Sequence, residues 1–170
     1  MSANTAREAK RPANAERPFP WRCRRCGNEQ VFPATLSYDA EVSHDGRLHQ
    51  LNIAKLQIPV CGSCGAKVFT EKVDDQINAS LRAHLHLLTP EQMRAALDRV
   101  NMTQKQAAER LGVAEATLSR WVTGTQIQSR AMDNLLRVFF AFPPVRAALN
   151  GVEQDARLGL ADMAAVGDKP

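Results

Sequence analysis

The sequence predicts an α+β chain whose strands and helices are segregated into two small modules. Three observations carry this. Four cysteines fall in two C-x-x-C pairs, Cys23/Cys26 and Cys61/Cys64, at the two ends of a strand-like segment. Near Asp74 the apolar residues change from short runs to a helical spacing. Two capping boxes, Thr89 to Gln92 and Thr103 to Gln106, then open successive short helices.

The chain has 170 residues, enough for one ordinary domain or two small ones. Hydrophobic residues at 44% and charged residues at 24% are ordinary for a globular protein. No stretch approaches the ~20 apolar residues that span a bilayer. Met1 to Pro20 lacks the apolar region of a signal peptide. The expected compartment is therefore the cytoplasm, where thiols stay reduced. A net charge of +4 and a pI near 9.1 are compatible with a nucleic-acid partner. From Arg7 to Arg25 there are seven Lys/Arg against two Glu, and the last twenty residues are slightly acidic. Both ends read as solvated tails.

The expected organisation is a disordered tail at 1–18, a β module at 19–73, a linker helix at 74–88, a helical domain at 89–149 and a flexible tail at 150–170. In the β module, Val31, Phe32, Leu36, Tyr38, Val42, Leu48, Leu51, Ile53, Leu56 and Ile58 form short apolar runs. Asp45-Gly46 interrupts them as a hairpin turn, because Gly tolerates the positive φ of primed turns. Ile77, Leu81, Leu85 and Leu88 are spaced as one helix face. Thr89 caps the next helix and Pro90 suits its first position. A second helix runs from Thr103 to Leu111-Gly112, a third from about Ala114 to Val122, ending at Gly124, and a fourth from Arg130 to Ala141. Pro143-Pro144 end the fourth.

A C-x-x-C turn brings two thiolates onto one ion, and two such turns complete a tetrahedron at Zn–S distances of about 2.3 Å. Gly27 and Gly65 follow the second cysteine of each pair, where close backbone approach favours a small residue. One structural Zn2+ bound by Cys23, Cys26, Cys61 and Cys64 is the expectation. All four ligands are protein thiolates, which leaves no open position for a substrate. A rubredoxin-like iron site uses the same ligands but usually rests on a rich aromatic core, and aromatics are only 5% here. Such an electron carrier fused to a helical domain stays open, and colour separates the two. Disulfides do not suit a reducing compartment, and the βαβ context of a thioredoxin-like pair is absent. His44, His49, His84 and His86 read as surface or partly packed residues, since four sulfurs already satisfy the ion.

Thr103 to Trp121 has the layout of a helix-turn-helix. Ala108 is small where two helices cross, Gly112 allows the tight turn, and Val113, Leu118 and Trp121 are spaced to pack the second helix on the first. The N-terminal part of that second helix enters the major groove in this motif. The candidate DNA-binding residues are Thr103, Gln104, Lys105, Glu115, Ala116, Thr117, Ser119, Arg120 and Thr123. Arg120 is the base-reading candidate, because Arg donates twice to guanine. Thr117 suits a thymine methyl or a phosphate. Thr103, Gln104 and Ser119 suit phosphates, with Lys105 and Arg110 as further phosphate candidates. Glu115 accepts from cytosine or stabilises its own helix start. A helical bundle without DNA reads the same helices, since residues 90–137 hold seven Lys/Arg against five Asp/Glu. The run Val138 to Phe142 is richer in apolar residues than one short helix needs. Leu135, Val138, Phe139 and Phe142 are therefore the candidates for a homodimer interface. No Ser/His/Asp or paired-carboxylate arrangement points to an enzyme.

Together these features resemble the MqsA family, antitoxins of type II toxin–antitoxin modules with an Xre-type helix-turn-helix. The order of elements matches over residues 21–149. The closest stretches are Met102-Thr-Gln-Lys-Gln-Ala, Leu118-Ser-Arg-Trp121 followed by Gly124, and Leu135-Leu-Arg-Val138. The resemblance implies a structural zinc on the four cysteines and a homodimer held through the helical domain. It also implies repression of its own operon at a palindromic operator on double-stranded DNA, and a zinc module that masks a ribonuclease toxin. Within the family's recognition helix an Asn and an Arg read bases. Arg120 matches the Arg, and Ala116 stands where the Asn would be, so the operator must differ. A stand-alone regulator of the same architecture, without a toxin, is the alternative.

Overall fold

The computed structural model describes residues 17–149. The tails expected from the sequence lie outside the described residues, Arg17 and Pro18 apart. Two long strands dominate the N-terminal module: β1 (Val31–His44) and β2 (Arg47–Cys61), paired antiparallel from Val31 opposite Cys61 to His44 opposite Arg47. Asp45 and Gly46 both have positive φ, +50° and +70°, as the primed hairpin turn requires.

A bulge sets which residues are inward. Leu36 faces Leu56 but Tyr38 faces Ile53, so β2 carries one extra residue there. β1 keeps Leu36, Tyr38, Ala40 and Val42 on one face. On β2 the inward set changes parity, from Leu51 and Ile53 to Leu56 and Ile58. Without the extra residue one of these pairs would point to solvent.

Helix α1 (Glu71–His84) covers that inward face. Val73 and Ile77 pack against Leu56 and Ile58, and Leu81 packs against Ala40 and Leu51. Each fully buried Leu or Ile contributes roughly 1.5–3 kcal/mol. The helix starts at Glu71, earlier than its apolar spacing predicts, and it is a layer of the β module as well as a connector. Leu88 lies beyond its end and packs with the helical core.

The C-terminal module comprises α2 (Pro90–Arg99), α3 (Gln104–Leu111), α4 (Glu115–Thr123), α5 (Arg130–Ala141) and α6 (Pro143–Ala148). Both capping boxes form. Thr89 and Thr103 hydroxyls each accept the N–H three residues on at 3.2 Å, and Gln92 and Gln106 side chains accept the Thr N–H groups at 2.9 Å. Gly112 at φ +68° and Gly124 at φ +88° end α3 and α4 in the left-handed conformation. Met93, Leu97, Leu111, Leu118, Trp121 and Phe139 form the centre of the core. Pro143 and Pro144 end α5 as the sequence predicts, but Pro143 also opens α6, because proline suits the first helical position.

Charged groups tie the two modules together. The buried Arg82 guanidinium on α1 donates to the carbonyls of Gly124 and Gln126 at 3.1 Å each. At the hairpin tip the Asp45 carboxylate accepts the Arg130 N–H at 2.6 Å. Within the helical module Asp133, fully buried, accepts from the Leu88 N–H (2.7 Å), the Gln128 side chain (3.0 Å) and the Arg137 guanidinium (2.7 Å).

Candidate metal centre and candidate nucleic-acid interface

The hairpin register brings the four cysteines together. Cys61 ends β2 opposite Val31, and Trp21 bridges to Val31 on its other side. The two C-x-x-C turns are built alike. The Cys23 N–H bonds to Asn28 O and the Gly27 N–H to Cys23 O; the Cys61 N–H bonds to Ala66 O and the Gly65 N–H to Cys61 O. All four sulfurs lie within 4.8 Å of one another, with Cys23–Cys64 and Cys26–Cys61 separations of 3.6 Å. A regular tetrahedron of Zn–S bonds has edges of about 3.8 Å. The cysteines are free thiols rather than disulfides. Gly27 and Gly65 are needed for a reason other than close approach. A Cβ would meet nothing at either position, but their φ of +81° and +68° favours glycine.

Electrostatics fit a cation. The N–H groups of Cys26 and Arg25 point at the Cys23 sulfur and lower its pKa to about 6. Cys64 moves the other way, to about 12. The Ala66 N–H lowers it, but desolvation and the Cys26, Cys23 and Cys61 sulfurs outweigh that effect. Four thiolates this close repel one another unless a metal offsets their charge. The donor set, all sulfur and tetrahedral in spacing, suits Zn2+ or iron.

The helix-turn-helix candidates differ in exposure and in freedom. Glu115, Ala116 and Arg120 are exposed on α4, and Thr117 and Ser119 are half-buried. Leu118, Trp121 and Val122 face inward and fix the helix. No side chain caps the start of α4. On α3, Lys105 is exposed and Gln104 half-buried. Two hydroxyls are already engaged. Thr103 accepts from the Gln106 N–H and donates to the Gln106 side chain, so it acts first as a helix cap. Thr123 donates back to Ser119 O at 2.8 Å, at the far end of α4.

The dimer candidates divide. Val138 is 39% exposed and Phe142 55%, and Leu135 is half-buried against the core. Phe139 is 0% exposed and sits inside the monomer's own core, so it is unavailable to a second copy. The α5 period explains the split: Leu136, Phe139 and Phe140 face in, while Val138 and Phe142 share the opposite side.

Sequence reasoning missed the groups that position α4. Arg94 on α2 donates to the Val122 carbonyl, and Arg82 takes that of Gly124. Cations at carbonyls that a helix end leaves unpaired are favourable. The i, i+4 pair of Asp133 and Arg137 was a readable signal; Arg82, acting across 42 residues, had none.

A helix-turn-helix family model matches residues 93–140. No curated protein matches the chain. Among solved structures, the chain is similar to the candidate DNA-binding protein NE0471 from Nitrosomonas europaea. The two are 17% identical at a TM-score of 0.35, over 67% of this chain and 90% of that one. The helix-turn-helix domain and the four-cysteine cluster together fit an MqsA-like layout. Among the described residues no helix is long and apolar enough to cross a membrane.

Proposed function

We propose that this chain is a sequence-specific, non-enzymatic DNA-binding transcription regulator of the cytoplasm, in which α4 reads the major groove and a zinc ion holds the N-terminal module. The observation that carries the reading is the presentation of α4. Its apolar side is locked by Leu118, Trp121 and Val122, its other side offers Glu115, Ala116 and Arg120 to solvent, and the segment lies within the helix-turn-helix match. Arg120 reads a base, and Gln104, Lys105, Thr117 and Ser119 position the helix on phosphates. Leu135, Val138 and Phe142 form the homodimer contact. Zinc bound by Cys23, Cys26, Cys61 and Cys64 is structural and colourless.

The resemblance to the MqsA family supports a finer reading: repression of the chain's own operon at a palindrome, and masking of a ribonuclease toxin by the zinc module. Selection of bound duplexes from a random pool tests the regulator. Enrichment of a two-fold symmetric motif, with half-sites about one DNA turn apart, is expected. A pool that shows no enrichment contradicts it. Co-purification from the native host tests the toxin, and its absence leaves the stand-alone regulator.

A further inference from the structure

Helix α1 runs from the knuckle end of the β module, where the four cysteines meet, toward the hairpin tip. Val73 near its start packs on Leu56 and Ile58, and Leu81 near its end packs on Ala40 and Leu51. The next residue, Arg82, is only 5% exposed. Among the described residues its guanidinium is in no ion pair with a carboxylate. Its Nε is buried without a partner. Burial pushes its pKa below the usual guanidinium value, and the charges of Glu91 and Asp75 offset only part of that. A buried cation with incomplete bonding is a poor source of stability. Its two bonds, to the carbonyls of Gly124 and Gln126, therefore need another account.

Both carbonyls belong to the loop that leaves α4. The same loop is anchored at Ile127, which packs with Leu81, Ala40 and Leu51, and at the buried Gln128, whose amide donates to Leu88 O at 2.8 Å. It returns to α4 at one atom. The Arg120 carbonyl accepts the Gln126 N–H at 3.2 Å and the hydroxyls of Thr123 and Thr125 at 3.3 Å each. Gln126 thus takes the Arg82 guanidinium on its carbonyl and holds Arg120 with its N–H.

We infer, resting on the DNA-binding reading above, that Arg82 is a positioning residue for base reading. Through the α4–α5 loop it sets the pose of Arg120, and so makes the β module a determinant of DNA sequence preference. α4 has nine residues, and Arg120 lies in its last turn. Leu118, Trp121 and Val122 fix the inward side of the helix. The end that carries Arg120 is held through the carbonyls of Arg120, Val122 and Gly124. A bidentate contact to guanine tolerates displacements of only about 0.5 Å or 10–20°. A loop released from α1 widens the range of poses at that end, while the phosphate contacts from α3 are untouched. Water can serve the freed carbonyls, since Gln126 is exposed and Gly124 half-buried. The loss then falls on discrimination rather than on folding.

The test is a double-mutant cycle on the full-length protein. Affinities are measured at fixed salt on a duplex selected from a random pool and on a scrambled duplex of equal length. The four proteins are the unmodified chain, Arg82→Met, Arg120→Ala and the double variant. Met keeps the buried stem and removes the charge. Arg82→Met is expected to lower the preference for the selected duplex about tenfold, with affinity for the scrambled duplex held within about twofold. In the Arg120→Ala background the same substitution should change the preference by less than about twofold, because the group it positions is gone. Equal losses on both duplexes, or the same loss of preference with and without Arg120, would overturn the inference and leave Arg82 a structural link between the modules. An unchanged preference would overturn it too. Should Arg82→Met not melt cooperatively, Ile127→Ala, which removes the loop's apolar anchor, is read by the same criteria. Failure of the underlying reading looks different: the unmodified protein shows no preference for the selected duplex, or Arg120→Ala alone keeps that preference in full.

Discussion

At the residue scale, a few side chains do more than their neighbours suggest. Asp133 joins α5 to the start of α2 through three donors, one of them the Leu88 N–H. Asp133→Ala leaves the buried Gln128 amide and that N–H short of partners. It should cost about 2–4 kcal/mol in chemical denaturation, with an unchanged denaturant slope. Phe139 and Phe142 make a sharper pair. Phe139→Ala empties a fully buried site and should cost about 3–5 kcal/mol. Phe142→Arg should leave the melting temperature within a few degrees and turn a sedimenting dimer into a monomer. If the unmodified chain is already monomeric, the dimer contact is wrong while the core assignment stands. The sequence could not separate these two phenylalanines by composition, because both lie in the same apolar run. Only the phase of α5 separates them.

At the element scale, what was legible was local. Capping boxes, the Asp45-Gly46 turn and the glycine stops are contained in four to six consecutive residues, and they form where the sequence puts them. The bulge was also written in the sequence, as the parity change from Leu51 and Ile53 to Leu56 and Ile58. It becomes readable only once the two strands are known to share one helix. The docking of α1 and the Arg82 and Arg94 bonds join residues far apart in sequence, and no local pattern announces them. The knuckle glycines give an element-scale prediction. Gly65→Ala meets no steric obstacle but holds an L side chain at φ +68°. It should weaken the module by about 1 kcal/mol and lower metal affinity accordingly, measured by competition with a chelator. A loss of several kcal/mol would restore close approach as the reason for glycine. Thr103→Ala should cost about 1 kcal/mol through the α3 cap.

At the scale of the whole molecule, two modules with different sources of stability are bonded together. The helical module has a continuous apolar core. The knuckle end has a small one, with Cys23, Val31 and Cys61 at its centre, and in the proposed reading a metal bound by the four cysteines supplies the rest of its stability. Cys61→Ser, or chelation, should melt the knuckle end first. The Arg82 and Asp45 bonds should then transmit a smaller loss to the helical module, visible as two transitions in calorimetry. Elemental analysis should give one zinc per chain. Stoichiometric iron, with visible colour, would replace the structural zinc by an electron-transfer centre.

The central claim is that α4 reads DNA bases through Arg120. It is tested most directly by measuring, at fixed salt, the affinities of the unmodified protein, Arg120→Ala and Lys105→Ala for the selected duplex and a scrambled one. The account predicts that Arg120→Ala loses about 1–3 kcal/mol on the selected duplex and much less on the scrambled one, while Lys105→Ala weakens both alike. An Arg120→Ala variant that keeps full preference for the selected duplex would contradict it.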